Sequence, residues 1–165
     1  MYIDFDKLPD TARVWVYQAN RSLTDGDIKT IDEALQPALS QWAAHGQPLL
    51  ASAKVVNSRF VVVGVDEGYT LPSGCSIDAS MRTVQEIGRQ LAVDFFDRSA
   101  AVQVADGTVQ TFALPAIKRA VADGLITPDT TVFNTLVKTK AEFMAEWRIP
   151  AITSWLKRYF KTIEA

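Results

Sequence analysis

The chain contains one cysteine and one histidine, and the cysteine lies where chemistry is easiest to imagine. Cys75 sits within Leu71-Pro72-Ser73-Gly74-Cys75-Ser76-Ile77-Asp78-Ala79-Ser80, where turn-forming, small and reactive side chains crowd together. A helix opening here turns the free N–H groups of its first turn, and the positive end of its dipole, toward Ser73, Gly74 and Ser76, an arrangement that attracts anions. The same field favours a thiolate, which makes Cys75 the candidate nucleophile or redox thiol. Asp78, one turn in, opposes both effects with its own negative charge. His45 is the candidate general base. The pattern puts it at the end of the preceding helix, and helices that run antiparallel bring the end of one near the start of the next. Each of these residues also has a purely structural reading. Ser76 or Asp78 caps the helix, the small residues allow close packing, Cys75 is buried as a small hydrophobe, and His45 is a solvated helix-terminal residue beside Gly46.

The elements that must position these groups follow from hydrophobic periodicity. Phe60-Val61-Val62-Val63-Gly64-Val65 reads as a strand buried on both faces, since neither alternate set of side chains is polar. Ile77, Met81, Val84, Ile87 and Leu91 recur at helical spacing and predict a helix from about Asp78 to Leu91. Ahead of these, 12–18 is a strand with Val14 and Val16 on one face and Arg13, Trp15 and Tyr17 on the other. Thr24, with Asp27 three residues on, opens a helix whose buried face is Ile28, Ile31, Leu35, Leu39 and Trp42. Pro37 is expected to kink or split that helix, and Gly46 to follow its end. Residues 50–56 and 59–65 form a hairpin about Asn57-Ser58. A second hairpin joins 100–104 to 108–112 across Asp106-Gly107.

The order strand, helix, strand, strand, helix, strand implies an α+β fold. It is a ferredoxin-like split βαβ sandwich, one antiparallel-rich sheet with two helices on one face and an added hairpin strand. The last third reads as a helical C-terminal extension. A short helix at 115–123 is followed by an edge strand or irregular lead-in at Thr130–Phe133. A helix through Leu136, Lys140, Phe143 and Trp147 comes next, and a final helix through Ile152, Trp155, Leu156 and Tyr159 exposes Lys157, Arg158 and Lys161. The whole is expected to be a single domain, 1–165, with its core over about 11–113 and the extension over about 114–165.

Composition limits the function classes. A chain of 165 residues, 48% hydrophobic and 22% charged, suits a globular domain with a real core. Lys+Arg 17 against Asp+Glu 19 gives a net charge of -2, which offers no electrostatic basis for nucleic-acid binding. One cysteine cannot close an internal disulfide, so a reducing cytoplasm is the simplest compartment. Met1-Tyr2-Ile3-Asp4-Phe5-Asp6 lacks the apolar core of a signal peptide, and no run approaches the length of a membrane helix, so membrane insertion is not expected. No metal is expected, because no paired Cys or His spacing exists. No cofactor is expected either, because the chain has no glycine-rich dinucleotide loop and no Gly-x-Ser-x-Gly elbow. Trp15, Trp42, Trp147 and Trp155 read as core or interface residues.

Several segments carry a resemblance: Arg13-Val14-Trp15-Val16-Tyr17-Gln18-Ala19-Asn20-Arg21, Gln41-Trp42-Ala43-Ala44-His45-Gly46, Ser73 to Ser80, Val132-Phe133-Asn134-Thr135-Leu136-Val137, and Trp147-Arg148-Ile149-Pro150-Ala151 with Ser154-Trp155. Together they resemble a family of small uncharacterised bacterial proteins found mainly in Bacteroidetes, whose members commonly carry the label ABC transporter ATPase. The label finds no support in the residues. Such ATPases wrap phosphate in Gly-x-x-x-x-Gly-Lys-[Ser/Thr], and no glycine here precedes a lysine. Arg13, Arg21 and Asn134 are polar residues within the resemblance motifs that either line a pocket with Ser73 and Ser76 or cap backbone groups.

Two functions of different classes follow. One is a non-catalytic module that binds a partner protein or a small anionic ligand, as a homodimer through a sheet edge or through the aromatic C-terminal helices. The other is a small enzyme or redox protein in which Cys75 is the nucleophile and His45 the base.

Overall fold

The computed structural model describes residues 1–160. In chain order the elements are β1 (Arg13–Gln18), α1 (Asp25–Ser40), β2 (Ala43–Ala44), β3 (Gln47–Pro48), β4 (Ala51–Val56), β5 (Phe60–Val65), α2 (Gly74–Leu91), β6 (Ala100–Gln103), β7 (Val109–Phe112), α3 (Ile117–Ala122), β8 (Thr131–Phe133), α4 (Lys140–Glu146) and β9 (Arg148–Pro150). Short 3₁₀ turns lie at Phe5–Lys7, Leu114–Ala116, Ala151–Thr153 and Trp155–Phe160. The fold is α+β with antiparallel sheets. The chain packs as two compact units, Met1–Asp97 with Leu136–Ala145, and Arg98–Thr135 with the chain from Glu146 onward.

In the first unit β5 runs down the middle of a three-stranded sheet of order β1-β5-β4. Both neighbours are antiparallel to it, with Trp15 and Ala53 each opposite Val63. Every residue of β5 is buried, as its unbroken apolar run requires. Val61, Val63 and Val65 face both helices, meeting Ile31, Leu35 and Leu39 of α1 and Val84 and Ile87 of α2. On the other face Phe5 and Leu8 close over Gly64, where a β-carbon would stand 2.7 Å from Leu8 Cδ1. Phe143 meets Phe5 edge to face at 5.8 Å.

Helix α1 opens with a reciprocal box. Asp27 N–H donates to Thr24 Oγ1 at 3.1 Å, and Thr24 N–H donates to Asp27 Oδ2 at 2.9 Å. The helix is not split at Pro37. The helix runs through to Ser40, because Pro37 lies in the last turn and forfeits a single ladder bond. Gly46 does not end this helix. With His45 it forms the tip of the β2–β3 hairpin, where both have positive φ, 51° and 77°, as a two-residue primed turn demands.

Helix α2 begins a turn earlier than its apolar stripe suggests, at Gly74. Its buried line is Ser76, Ser80, Val84, Ile87 and Gly88, while Met81 is exposed. Small side chains here let the helix approach the aromatic rings of Tyr17 and Trp42 closely.

The second unit has its own sheet, of order β7-β6-β8-β9. The 100–112 hairpin pairs as its sequence predicts, Val102 opposite Gln110. However, β6 does not extend the first sheet. It pairs with β8 through Val102 and Val132, which makes β8 an inner strand rather than an edge. The core is Ala100, Val102, Ile117, Ala120, Ile126, Val132, Ala151, Leu156 and Phe160. The segment after 113 is therefore not a helical extension. Its expected long helix over 136–147 contracts to α4, flanked by β8 and β9, and the expected final helix is replaced by 3₁₀ turns. Lys157 and Arg158 are exposed as expected, and Lys161 lies outside the described residues. Among the described residues no helix is long and apolar enough to cross a membrane.

Candidate functional site

The start of α2 is built by hydroxyls. The cap is Ser73, neither Ser76 nor Asp78. Ser76 N–H donates to Ser73 Oγ at 3.1 Å, and Ser73 N–H donates to Ser76 Oγ at 2.7 Å. Ser76 Oγ–H in turn donates to the Ser73 carbonyl at 2.7 Å. Ser76 is buried, and its carbonyl accepts the Trp42 indole N–H at 2.6 Å. These bonds commit both serines to the helix start. Cys75 is not buried as the structural reading would have it; the free thiol is exposed on the first turn. Gly74 and Asp78 are exposed beside it.

Arg13 reaches this end of the unit through an aromatic relay. Its guanidinium lies 4.8 Å from the Trp15 ring centre, Trp15 meets Trp42 edge to face at 6.3 Å, and Trp42 holds Ser76. Arg13 also pairs with Glu67, in the loop leading to α2, at 3.4 Å. Arg21 is elsewhere. It joins the start of α1 to the end of α2, donating to Asp27 Oδ2 at 2.7 Å and to the Leu91 carbonyl at 2.8 Å. Because α2 has 18 residues, its two ends stand about 27 Å apart. Arg21 and Ser73 therefore serve opposite ends of one helix. The Arg21 guanidinium beside Asp27, with the Thr24 N–H, holds that carboxyl down at about 2.

His45 sits at the exposed tip of the β2–β3 hairpin. Among the described residues neither its ring nor the Cys75 thiol makes a hydrogen bond or ion pair. Asn134 belongs to the second unit, where its N–H donates to the Trp147 carbonyl at 2.8 Å and Phe133 meets Trp147 at 5.6 Å.

The buried polar groups are ones the sequence patterns pass over. Burial pushes the Tyr17 hydroxyl up, and a hydrogen bond with Ser80 opposes that. Arg59 is 7% exposed and donates from Nε to the Ala19 carbonyl at 2.8 Å. Burial pushes its guanidinium down, and the Asp97 carboxylate opposes the shift. Lys140, also 7% exposed, donates from Nζ to the carbonyls of Asp6 at 2.9 Å and Leu8 at 2.7 Å. All three are tied to the first unit's own backbone or side chains.

Among the clefts on this unit, two flank α1. One, of about 320 Å³ between α1 and α2, is floored by Val63 and Trp42. Its hydroxyls are turned into the helix, Ser80 onto the Ile77 carbonyl and Thr83 onto that of Ala79. The other, of about 360 Å³, runs along the edge of β4 beside α1, between Tyr2, Ile28, Asp32, Leu35, Gln36, Ala53 and Val55. Its sequence signal is Lys54, a lone charge in the otherwise small and apolar Ala51-Ser52-Ala53-Lys54-Val55-Val56, the usual mark of a guarded edge strand. No protein-family model matches this chain, and no match was found among curated proteins or solved structures.

Proposed function

We propose that this protein is a small, non-catalytic cytoplasmic binding module that engages a partner protein. The observation that carries this reading is how its reactive residue types are held. Ser73 and Ser76 close a helix cap, Arg21 ties two helix ends, and Lys140 and Arg59 hold backbone carbonyls. A nucleophile needs a base within hydrogen-bond reach and a third group to orient that base. Cys75 and His45 meet no such neighbours among the described residues.

The order β1-β5-β4, with β1 and β4 both antiparallel to β5 and both helices on one face, supports reading the first unit as a ferredoxin-like split βαβ sandwich of three strands. The resemblance to the small Bacteroidetes proteins labelled ABC transporter ATPases is compatible with a binding role, since no phosphate-wrapping loop accompanies it.

The test is the rate of Cys75 carbamidomethylation by iodoacetamide in the native protein and in His45→Ala, from about pH 5 to 9. The module reading expects the two profiles to superimpose. A rate at least roughly tenfold lower in the variant, at any pH, reveals a working pair and overturns the reading.

A further inference from the structure

One open stretch of the first sheet is the outer edge of β4. Asp66 N–H donates to the Leu50 carbonyl at 2.9 Å, so positions 52, 54 and 56 turn their backbone groups toward β5, and 51, 53 and 55 turn theirs outward. The chain already uses this edge once. Ala51 N–H donates to the Met1 carbonyl and Ile3 N–H to the Ala51 carbonyl, both at 2.9 Å, and Tyr2 pairs with Ala51 in parallel. After Ile3 the backbone leaves for the turn at Phe5–Lys7. Tyr2 Oη–H donates to the Ala53 carbonyl at 3.1 Å. Among the described residues, the N–H groups of Ala53 and Val55 and the Val55 carbonyl have no partner.

We propose that this edge captures an extended segment of a partner protein as an added strand, of the pattern apolar–acidic–apolar. The inference rests on the binding-module reading and gives it a surface and a ligand chemistry. Side chains alternate across a strand. Residues set opposite Ala53 and Val55 therefore enter the groove beside α1, where Ile28 and Leu35 meet the apolar part of a side chain and Asp32 and Gln36 stand next to them. The residue between them faces Lys54. The Lys54 ammonium lies over the Phe5 ring at 4.7 Å and the Phe143 ring at 5.3 Å, with no carboxylate paired to it among the described residues. An acidic side chain across the strand completes that cation.

The same geometry disfavours a second copy of the chain. Pairing Ala53 with Val55 of an identical edge puts the two-fold axis at Lys54 and sets two like charges directly opposite each other, which weakens a strand pair.

The test titrates the full chain into fluorescein-labelled Thr-Val-Glu-Val-Thr and Thr-Val-Lys-Val-Thr and reads anisotropy. The glutamate peptide is expected to saturate below about 1 mM and to bind roughly fivefold to tenfold tighter than the lysine peptide. Lys54→Glu is expected to invert that order. Amide shifts in the wild-type chain are expected to centre on Ala53 and Val55, and Val55→Pro, which removes one outward N–H, to lose binding while its amide spectrum stays that of the folded chain.

Absence of saturation for both peptides, a preference that survives Lys54→Glu, or shifts centred elsewhere would overturn the proposal. So would concentration-dependent self-association of the peptide-free chain that Val55→Pro abolishes, since a second copy then occupies the edge. None of these outcomes moves the Cys75 alkylation profile, so the failure of the edge and the failure of the module reading remain distinguishable.

Discussion

Replacing Gly88 by alanine tests how α2 ends. In an exposed helix interior this change stabilises by about 1 kcal/mol, because alanine is the better helix former. Here the sign reverses. A β-carbon on Gly88 would stand 2.5 Å from the Val93 carbonyl oxygen and 3.3 Å from Phe95 Cδ2. The nearer atom is backbone, and it belongs to the turn that closes the helix, where Val93 N–H donates back to the Gly88 carbonyl at 2.9 Å. Overpacking costs about 1–3 kcal/mol, and loosening one hydrogen bond adds about 1 kcal/mol. After the propensity gain, Gly88→Ala should destabilise by about 1–3 kcal/mol, or about 2–4 °C of melting temperature per kcal/mol in a chain of this size. Ala92 supplies the reciprocal experiment. It holds the left-handed position of the same turn at φ 54°, which strains any residue with a β-carbon. Ala92→Gly should stabilise by about 0.5–1 kcal/mol after the entropy of the added glycine is counted. Urea unfolding at constant m reads both. A Gly88→Ala protein at least as stable as wild type, or a destabilised Ala92→Gly, would refute this account of the turn.

Two further outcomes are expected. Ser52 is fully buried and its hydroxyl lacks a hydrogen-bond partner among the described residues, so Ser52→Ala should raise stability by up to about 1 kcal/mol, and a loss of that size in urea unfolding would contradict it. Asp27 has its folded-state value lowered from 3.8 to about 2, so its contribution is present above the unfolded value and is lost as pH falls through the folded one. The stability gap between wild type and Asp27→Asn, measured by urea midpoint, should therefore narrow as pH falls from 3.8 toward 2, and a gap that stays constant through that window would rule the coupling out.

Much of the first unit is legible in the chain itself. The run Phe60–Val65 has no polar alternate, so only a strand covered on both faces satisfies it. The Thr24 to Asp27 spacing carries its geometry locally, as does the Asp106-Gly107 turn of the second unit. Other features depend on what the chain meets after it folds. Ser76, Ser80 and Gly88 line the buried face of α2 because they are small, and an apolar stripe registers hydrophobicity rather than size, so the spacing includes Met81, which is exposed. The Ser73 cap is hidden because its reciprocal partner is a short serine rather than the glutamate or glutamine that marks most boxes. Strands of three residues such as β8 and β9 are too brief to show an alternation, and the pairing of β6 is decided by a partner some thirty residues away. At the candidate site the sequence placed Ser73, Gly74, Cys75 and Ser76 together. His45 does not end α1, because that helix stops at Ser40 and the chain turns into the β2–β3 hairpin, and Arg21 does not join Ser73, because a pairing across seventy positions with the far end of α2 leaves no local pattern.

Lys140 gives the chain a schedule for its synthesis. Its ammonium holds the carbonyls of Asp6 and Leu8, more than 130 positions earlier. The first unit thus draws one wall from residues that leave the ribosome after β6, β7, α3 and β8 have emerged. At about 5–20 residues per second, the sheet of β1, β4 and β5 spends several seconds with the face around Gly64 covered only by Phe5 and Leu8. A nascent chain arrested before residue 136 would keep that apolar face open, and protease resistance of the first unit should switch on only as the segment bearing Lys140 arrives.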